Sequence, residues 1–548
     1  MKTQVQWLAL IATAGMLIND GTTLMAGENN TVKVLSVKDI QQTPGFAKLL
    51  DKSKSLKHGQ LPINPKSYQP LPLPKSKPSP SSSKARVVNQ LIAYDLVAGS
   101  KTIYQFSKSE LKTLAKKSWK GNPGQLLKSL KTTKGRVREQ LKEMTEPLEK
   151  IDHPAQYAEI VANVKLFMVK GDRIRATCSG TLVDPKLVIT AGHCVHEGPG
   201  GDFYDAVVVI PAYEAGEAPL GYAVGYRLST TPGWAESADF NYDIGLVELE
   251  EPIGAENGWY GLKVDKVEDC SAYTKPTEGS IFINAGYPGD TPYDGEYLYA
   301  RRGTFDCCFE ECCSQDNLCG RNQVGINNLS YRGQSGSSAA LFYKDKDLAE
   351  VPTVMAILSN GTNEVDELKF TNFIVLESSD NEGSGKDSLA LLIGGVIERN
   401  TPTSVDLIPR KVTVSSTAIT AGNPLPSLNF LVHNYSSVSW EGTVEYEVFL
   451  FDGIQTITVI GKGQFTDKFS PKGSVSVTLS AGLPTIPSDT PAGKSYLGVK
   501  LNIADHNGDN NVTDFQSLAM IEVIGKDGKP TTNEVPIWRR DFPGFEGK

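Results

Sequence analysis

The chain has 548 residues, 39% of them hydrophobic, with 63 acidic against 55 basic side chains and a formal net charge of -8. Such a length exceeds one hydrophobic core and corresponds to about three or four units of ordinary domain size. The acidic balance argues against a nucleic-acid partner held through phosphate contacts.

At the start of the chain, Met1-Lys2, the apolar run Val5 to Ile18 and the stretch Leu24-Met25-Ala26 predict a secretory signal peptide over 1–26, cleaved near Ala26. The run is shorter than the roughly 20 residues a spanning helix needs. No later stretch reaches that length, Leu389 to Ile397 included, so no integral membrane segment is expected. All eight cysteines lie between Cys178 and Cys319, which agrees with an oxidising, secreted (extracellular or periplasmic) destination.

Residues 27–151 predict a cleavable pro-region of a zymogen. Its tract 61–84 holds Pro62, Pro65, Pro70, Pro72, Pro74, Pro78 and Pro80 among serines and lysines, and is expected to be extended or disordered. Ser107 to Leu114 and Leu126 to Ile151 carry apolar residues at helical spacing, parted by Pro123-Gly124, and predict two basic helices.

Over 152–400 the pattern changes to short β-rich runs, among them Ile160 to Val169, Thr181 to Thr190, Ala206 to Ile210 and Ile244 to Leu249, separated by Gly, Pro and Asp. This predicts a mainly β, two-barrel domain, closed by one helix over Ser388 to Arg399. Residues 401–548 contain seven further alternating runs, from Lys411 to Ser415 through Leu518 to Ile524, and no cysteine. They predict an immunoglobulin-like β-sandwich without a disulfide, a surface for a protein, a glycan or a cell envelope. Asp505 to Asp514 spaces oxygen donors like a calcium loop. Asn510 stands where that loop has glycine and Gln516 where it has a carboxylate, so a plain turn is expected.

A serine hydroxyl is a poor nucleophile at neutral pH unless a histidine takes its proton and a carboxylate steadies that histidine. Thr190-Ala191-Gly192-His193-Cys194, Tyr242-Asp243-Ile244-Gly245-Leu246 and Gly333-Gln334-Ser335-Gly336-Ser337 supply the three groups in the order His, Asp, Ser. In α/β-hydrolases the serine comes first and in subtilisin-type enzymes the aspartate does, so both are excluded. Ser337 also breaks the Gly-x-Ser-x-Gly elbow of lipases. His196 is the rival base and Asp239 the rival acid. Asp243 is preferred because Ile244-Gly245-Leu246-Val247 would bury one side of its carboxylate.

With these motifs, Cys178-Ser179-Gly180-Thr181-Leu182 and Leu187 to Cys194 make residues 152–400 resemble the chymotrypsin/trypsin-like serine protease family. The resemblance implies a serine endopeptidase that hydrolyses polypeptide through an acyl-enzyme, with His193, Asp243 and Ser335 catalytic and no cofactor or metal. It further implies an oxyanion hole formed by the N–H groups of Gly333 and Ser335, and a Cys178 to Cys194 disulfide. Gly286-Tyr287-Pro288-Gly289-Asp290 and Gly333-Gln334-Ser335-Gly336-Ser337 resemble the bacterial glutamyl endopeptidase branch more than digestive trypsins. Two positions depart from the family: Gln334 replaces the aspartate that binds a new N-terminus in trypsins, and Ser338 stands where proline is usual.

Counting from Ser335 places Leu329 and Ser330 at the base of the specificity pocket and Leu358, Ser359 and Gly361 on its wall. No acidic residue stands at the base, which disfavours Lys or Arg before the cut, and Leu358 replaces the histidine of a glutamate-selective pocket. An apolar or small side chain is therefore expected there. Cys270, Cys307, Cys308, Cys312, Cys313 and Cys319 are enough for three bridges in any pairing. The competing class is a secreted binding or adhesion protein on a non-catalytic protease-like scaffold.

Overall fold

The computed structural model describes residues 23–25, 32–42, 89–124, 148–262, 281–308, 323–361, 371–376 and 389–525, apart from gaps at 158, 172, 327, 345–346 and 515–516. Among these, strands dominate. Asn163–Lys170, Arg173–Asp184, Leu187–Thr190, Ala206–Pro211, Ala223–Thr230 and Gly245–Leu249 form an antiparallel barrel. It closes because Ala223–Thr230 pairs both with Ala206–Pro211 and with Gly245–Leu249. Valine, isoleucine and leucine at alternate strand positions fill it, Val164, Leu166, Val188, Val208, Leu228 and Leu246 being buried.

A second, nine-stranded sheet runs from Cys307–Cys308 through Gln323–Ile326, Thr371–Val375, Asp347–Gly361, Ser338–Lys344, Phe282–Gly286 and Tyr299–Gly303 to Glu149–Lys150. Gly261–Leu262 adds in parallel to Asp347–Gly361. Phe282, Phe305, Met355, Leu358 and Phe373 lie in its core. The expected closing helix is present as Leu389–Asn400, with all its residues from Leu389 to Ile397 buried.

The helix expected at Ser107 to Leu114 is Lys108–Leu114. Ser107 and Glu110 form a reciprocal capping box at its start. The segment before it differs from expectation, since Gln90–Asp95 and Ser100–Gln105 form a β-hairpin on strand Ala223–Thr230. Leu91 and Ala93 are fully buried while Ile92 and Tyr94 are only partly so, and with apolar residues on both faces the run shows no clean alternation that would mark a strand in a lysine-rich region. Phe106 and Trp119 then pack against the closing helix at Gly395 and Gly394. The segment 89–124 is thus part of the barrel's core. The proline tract, all but Thr23–Met25 of the leader and residues 126–147 of the expected second basic helix lie outside the described residues; the end of that helix is instead a strand, Glu149–Lys150, which pairs with Tyr299–Gly303 at the edge of the second sheet.

Beyond residue 400, Trp440–Phe451 pairs with Ile457–Phe469 and with Gly493–Asn502, which pairs with Ala519–Ile524. Thr23–Met25 pairs with Ile457–Phe469. Leu407–Thr413, Leu428–Asn434 and Ser474–Leu479 make a separate three-stranded sheet, and one hydrophobic core includes residues of both sheets. This unit is joined to the first barrel by buried ion pairs. Arg410 meets Glu251 and Glu256 of the barrel as well as Asp514, and Asp184 receives Lys472 and the Tyr435 hydroxyl. Asp505 accepts from Leu407 N–H and Asn511, so the carboxylates at both ends of the calcium-like loop are spent on protein partners. No helix among the described residues is long and apolar enough to cross a membrane.

Candidate active site

His193 sits in a single 3-10 turn, Gly192–Cys194, that ends strand Leu187–Thr190, and a Cys178–Cys194 disulfide ties that turn to the neighbouring strand. Asp243 precedes strand Gly245–Leu249, which pairs with Leu187–Thr190 in register, Gly245 opposite Thr190. Two adjacent strand ends therefore bring the imidazole and the carboxylate together. His193 Nδ1 lies 2.8 Å from Asp243 Oδ2, and the His193 backbone N–H donates to Asp243 Oδ1 at 2.8 Å. A third donor completes the set, since Ser359 Oγ donates to Asp243 Oδ2 at 2.6 Å.

Both His193 and Asp243 are buried, which makes their pairing strong and water a poor competitor. His193 Nε2 is buried without a hydrogen-bond partner among the described residues. With Nδ1 committed to a carboxylate, Nε2 is the atom free to accept a proton. Cys178 and Cys194 adjoin His193, but as a disulfide they offer no thiolate to a metal.

Ser335 comes from the second sheet, on the turn before strand Ser338–Lys344. Its carbonyl accepts from Ser179 N–H of the first barrel at 2.9 Å. Gly336, at φ +83°, presses so closely on Thr190 and Ala191 that a Cβ there would meet Thr190 Oγ1 at 2.0 Å. That close approach requires glycine and sets Ser335 against the turn that carries His193. Gly333 has φ +90°, with Tyr287 O where a Cβ would point. The N–H groups of Gly333 and Ser335 donate in none of the backbone bonds found among the described residues, whereas those of Gln334, Gly336 and Ser337 all do.

The pocket residues are placed unevenly. Ser330 is buried with its hydroxyl unpartnered among the described residues, and the Leu329 carbonyl accepts from the buried Arg301 Nη1 at 2.8 Å. Gly361 is half-buried at the end of its strand. Leu358 lies in the core of the second sheet and Ser359 is spent on Asp243, so these two side chains serve other contacts than the wall expected of them. Nothing in the sequence marks Ser359 as a partner of Asp243, 116 positions away. Of the rivals, His196 turns its Nδ1 to Gly198 N–H and Asp239 caps the turn Phe240–Tyr242, and neither joins the cluster. The six other cysteines lie in stretches whose side chains are outside the described residues.

The family described as Trypsin matches residues 153–364. Glutamyl endopeptidase of Bacillus licheniformis is 28% identical over 185 residues, 34% of this chain and 52% of that protein. Extracellular metalloprotease of Bacillus subtilis is 37% identical over 86 residues, 16% of this chain and 27% of that protein. The chain thus spans about half and about a quarter of these curated relatives. Among solved structures, the protease Anisep from Arthrobacter nicotinovorans is 20% identical with a TM-score of 0.33, covering 42% of this chain and 94% of its own. A Glu endopeptidase in complex with MPD is 15% identical with a TM-score of 0.34, covering 46% and 96%.

Proposed function

We propose that this chain, whose residues 153–364 form a domain of the chymotrypsin/trypsin-like serine protease family, is a secreted serine endopeptidase. In this reading Ser335 Oγ attacks the carbonyl carbon of a peptide bond while His193 Nε2 takes its proton. Asp243 holds the imidazole by Nδ1 and stabilises the imidazolium that forms. The oxyanion is received by the N–H groups of Gly333 and Ser335. His193 then protonates the departing amine, leaving an acyl-enzyme that water hydrolyses by the reverse sequence. The observation that carries the reading is the buried His193–Asp243 pair with Nε2 unspent.

For the residue before the cut, the sequence favours an apolar or small side chain. The buried Arg301, bonded to the carbonyl at the expected pocket base, favours an acidic one instead. A substrate panel differing only at that residue separates the two. The C-terminal unit is proposed as an immunoglobulin-like module that presents a binding surface.

A fluorophosphonate probe, mapped by mass spectrometry on the secreted, processed protein and on its Ser335→Ala variant, tests the catalytic reading. Label on Ser335 is expected, absent from the variant, together with a turnover loss of about a millionfold. Folded, fully processed wild-type protein that takes no label would sink the reading and put the non-catalytic binding protein in its place.

A further inference from the structure

We propose, resting on the hydrolase reading above, that Ser179 and Asp290 are positioning residues that lock the two N–H groups of the oxyanion hole into the site. In a trans peptide the N–H and the C=O of one unit point in opposite directions. Anchoring a carbonyl therefore aims the N–H of the following residue. The Gly333 N–H belongs to the peptide whose carbonyl is Arg332 O, and that oxygen accepts from Gly289 N–H at 2.7 Å. The Ser335 N–H belongs to the peptide whose carbonyl is Gln334 O, which accepts from Ser337 N–H at 2.9 Å.

The peptide between them is held as well, since Ser179 Oγ donates to Gly333 O at 2.7 Å and accepts from Tyr287 N–H at 2.9 Å. Asp290 Oδ2 accepts from Arg332 N–H at 3.0 Å, so Gly289 and Asp290 grip both backbone groups of Arg332. At its far end the loop carrying them is fastened by Gly295 N–H on Pro288 O and by Lys165 Nζ on Gly295 O.

Such fastening matters because glycine at 333, with φ +90°, puts little steric resistance in the way of turning the peptide before it. A turned peptide would present Arg332 O to the site in place of an N–H. The neutral Gln334 adds only a local cap, its Oε1 accepting from Tyr331 N–H at 2.9 Å. No carboxylate is present at 334 to fix the turn by an ion pair, and the side chains that fix it, beside the Gly289 and Ser337 N–H groups, are Ser179 and Asp290.

The test uses the full chain as Ser179→Ala, Asp290→Ala and Asp290→Asn, each checked for folding by thermal melting. Hydrolysis rates on a chromogenic ester and fluorophosphonate labelling rates are then measured across pH. Because losing one donor outright typically costs about 100- to 1000-fold, a loosened donor should lower kcat by about 10- to 100-fold in the two alanine variants. KM and the pH midpoint of kcat/KM should stay put, since the His193–Asp243 pair is untouched. Asp290→Asn, which keeps an acceptor for Arg332 N–H, should recover most of the rate. Folded alanine variants within about twofold of wild type would overturn the proposal, as would Asp290→Asn falling as far as Asp290→Ala. A wild-type chain without label overturns instead the hydrolase reading on which the proposal rests.

Discussion

His193 and His433, buried histidines in different halves of the molecule, differ in the company they keep. His193, at the edge of the first barrel, has Nδ1 2.8 Å from a buried carboxylate, and that carboxylate collects two further hydrogen bonds. His433, in strand Leu428–Asn434 of the C-terminal unit, has Nδ1 2.8 Å from the hydroxyl of Ser474. Burial pushes the His433 pKa down to about 3, and the nearby cations Arg410, Lys472 and Lys186 push in the same direction. A buried carboxylate beside a buried imidazole favours the protonated ring and so lets it hold a proton during a reaction. The same side chain beside a hydroxyl and three cations is held neutral.

Removing the carboxylate should erase that contrast. Asp243→Asn keeps the size of the side chain but offers no negative charge, and its amide can hold the imidazole in the wrong tautomer. Turnover is expected to fall by about 10⁴-fold, read from initial rates on a peptide ester. A loss of less than about tenfold would mean that the three donors around Asp243 serve structure and not an imidazolium.

The cationic side of the comparison is broken by Arg410→Met. Arg410 is buried among Glu251, Glu256 and Asp514, with its Nε 2.6 Å from Glu256 Oε1. Removing one partner from a buried ionic cluster leaves uncompensated charge and typically costs about 3–5 kcal/mol. Denaturant melts at neutral pH should show a loss of that order. Burial already raises the Glu256 pKa, and without the guanidinium it rises further, so the deficit should shrink in acid as that carboxyl takes up a proton. A deficit independent of pH would assign the loss to packing.

How much of this was legible beforehand follows the range of each interaction. The triad candidates, the first-barrel strands, the helix at Ser107 to Leu114 and the closing helix all announce themselves within a dozen residues. Periodicity and motif spacing are local signals. The hairpin Gln90–Asp95 and Ser100–Gln105 is also local, yet apolar residues on both faces of its first strand blur the period-two pattern, and the barrel edge it covers lies over 120 positions on. Counting along a strand fixes the place of Ser359 but not what its hydroxyl meets. Its partner Asp243 belongs to the other barrel. The pinning of Gly333 by Ser179 joins residues 154 apart, and no pattern in either segment encodes it.

The smallest expected effect sharpens the comparison from the C-terminal side. An unfolded histidine titrates near 6.5, whereas folded His433 stays neutral down to about 3. Between those values the unfolded chain binds the additional proton, so stability falls as pH falls through the window and recovers as pH rises. The slope from one such group is at most about 1.4 kcal/mol per pH unit. His433→Gln removes the proton-binding group while leaving a side chain able to meet Ser474, and its stability should fall less steeply by about that amount between pH 6 and pH 4 in urea titrations. Parallel slopes for variant and wild type would show that His433 takes its proton in the folded state, and burial beside a hydroxyl would then not be what separates it from His193.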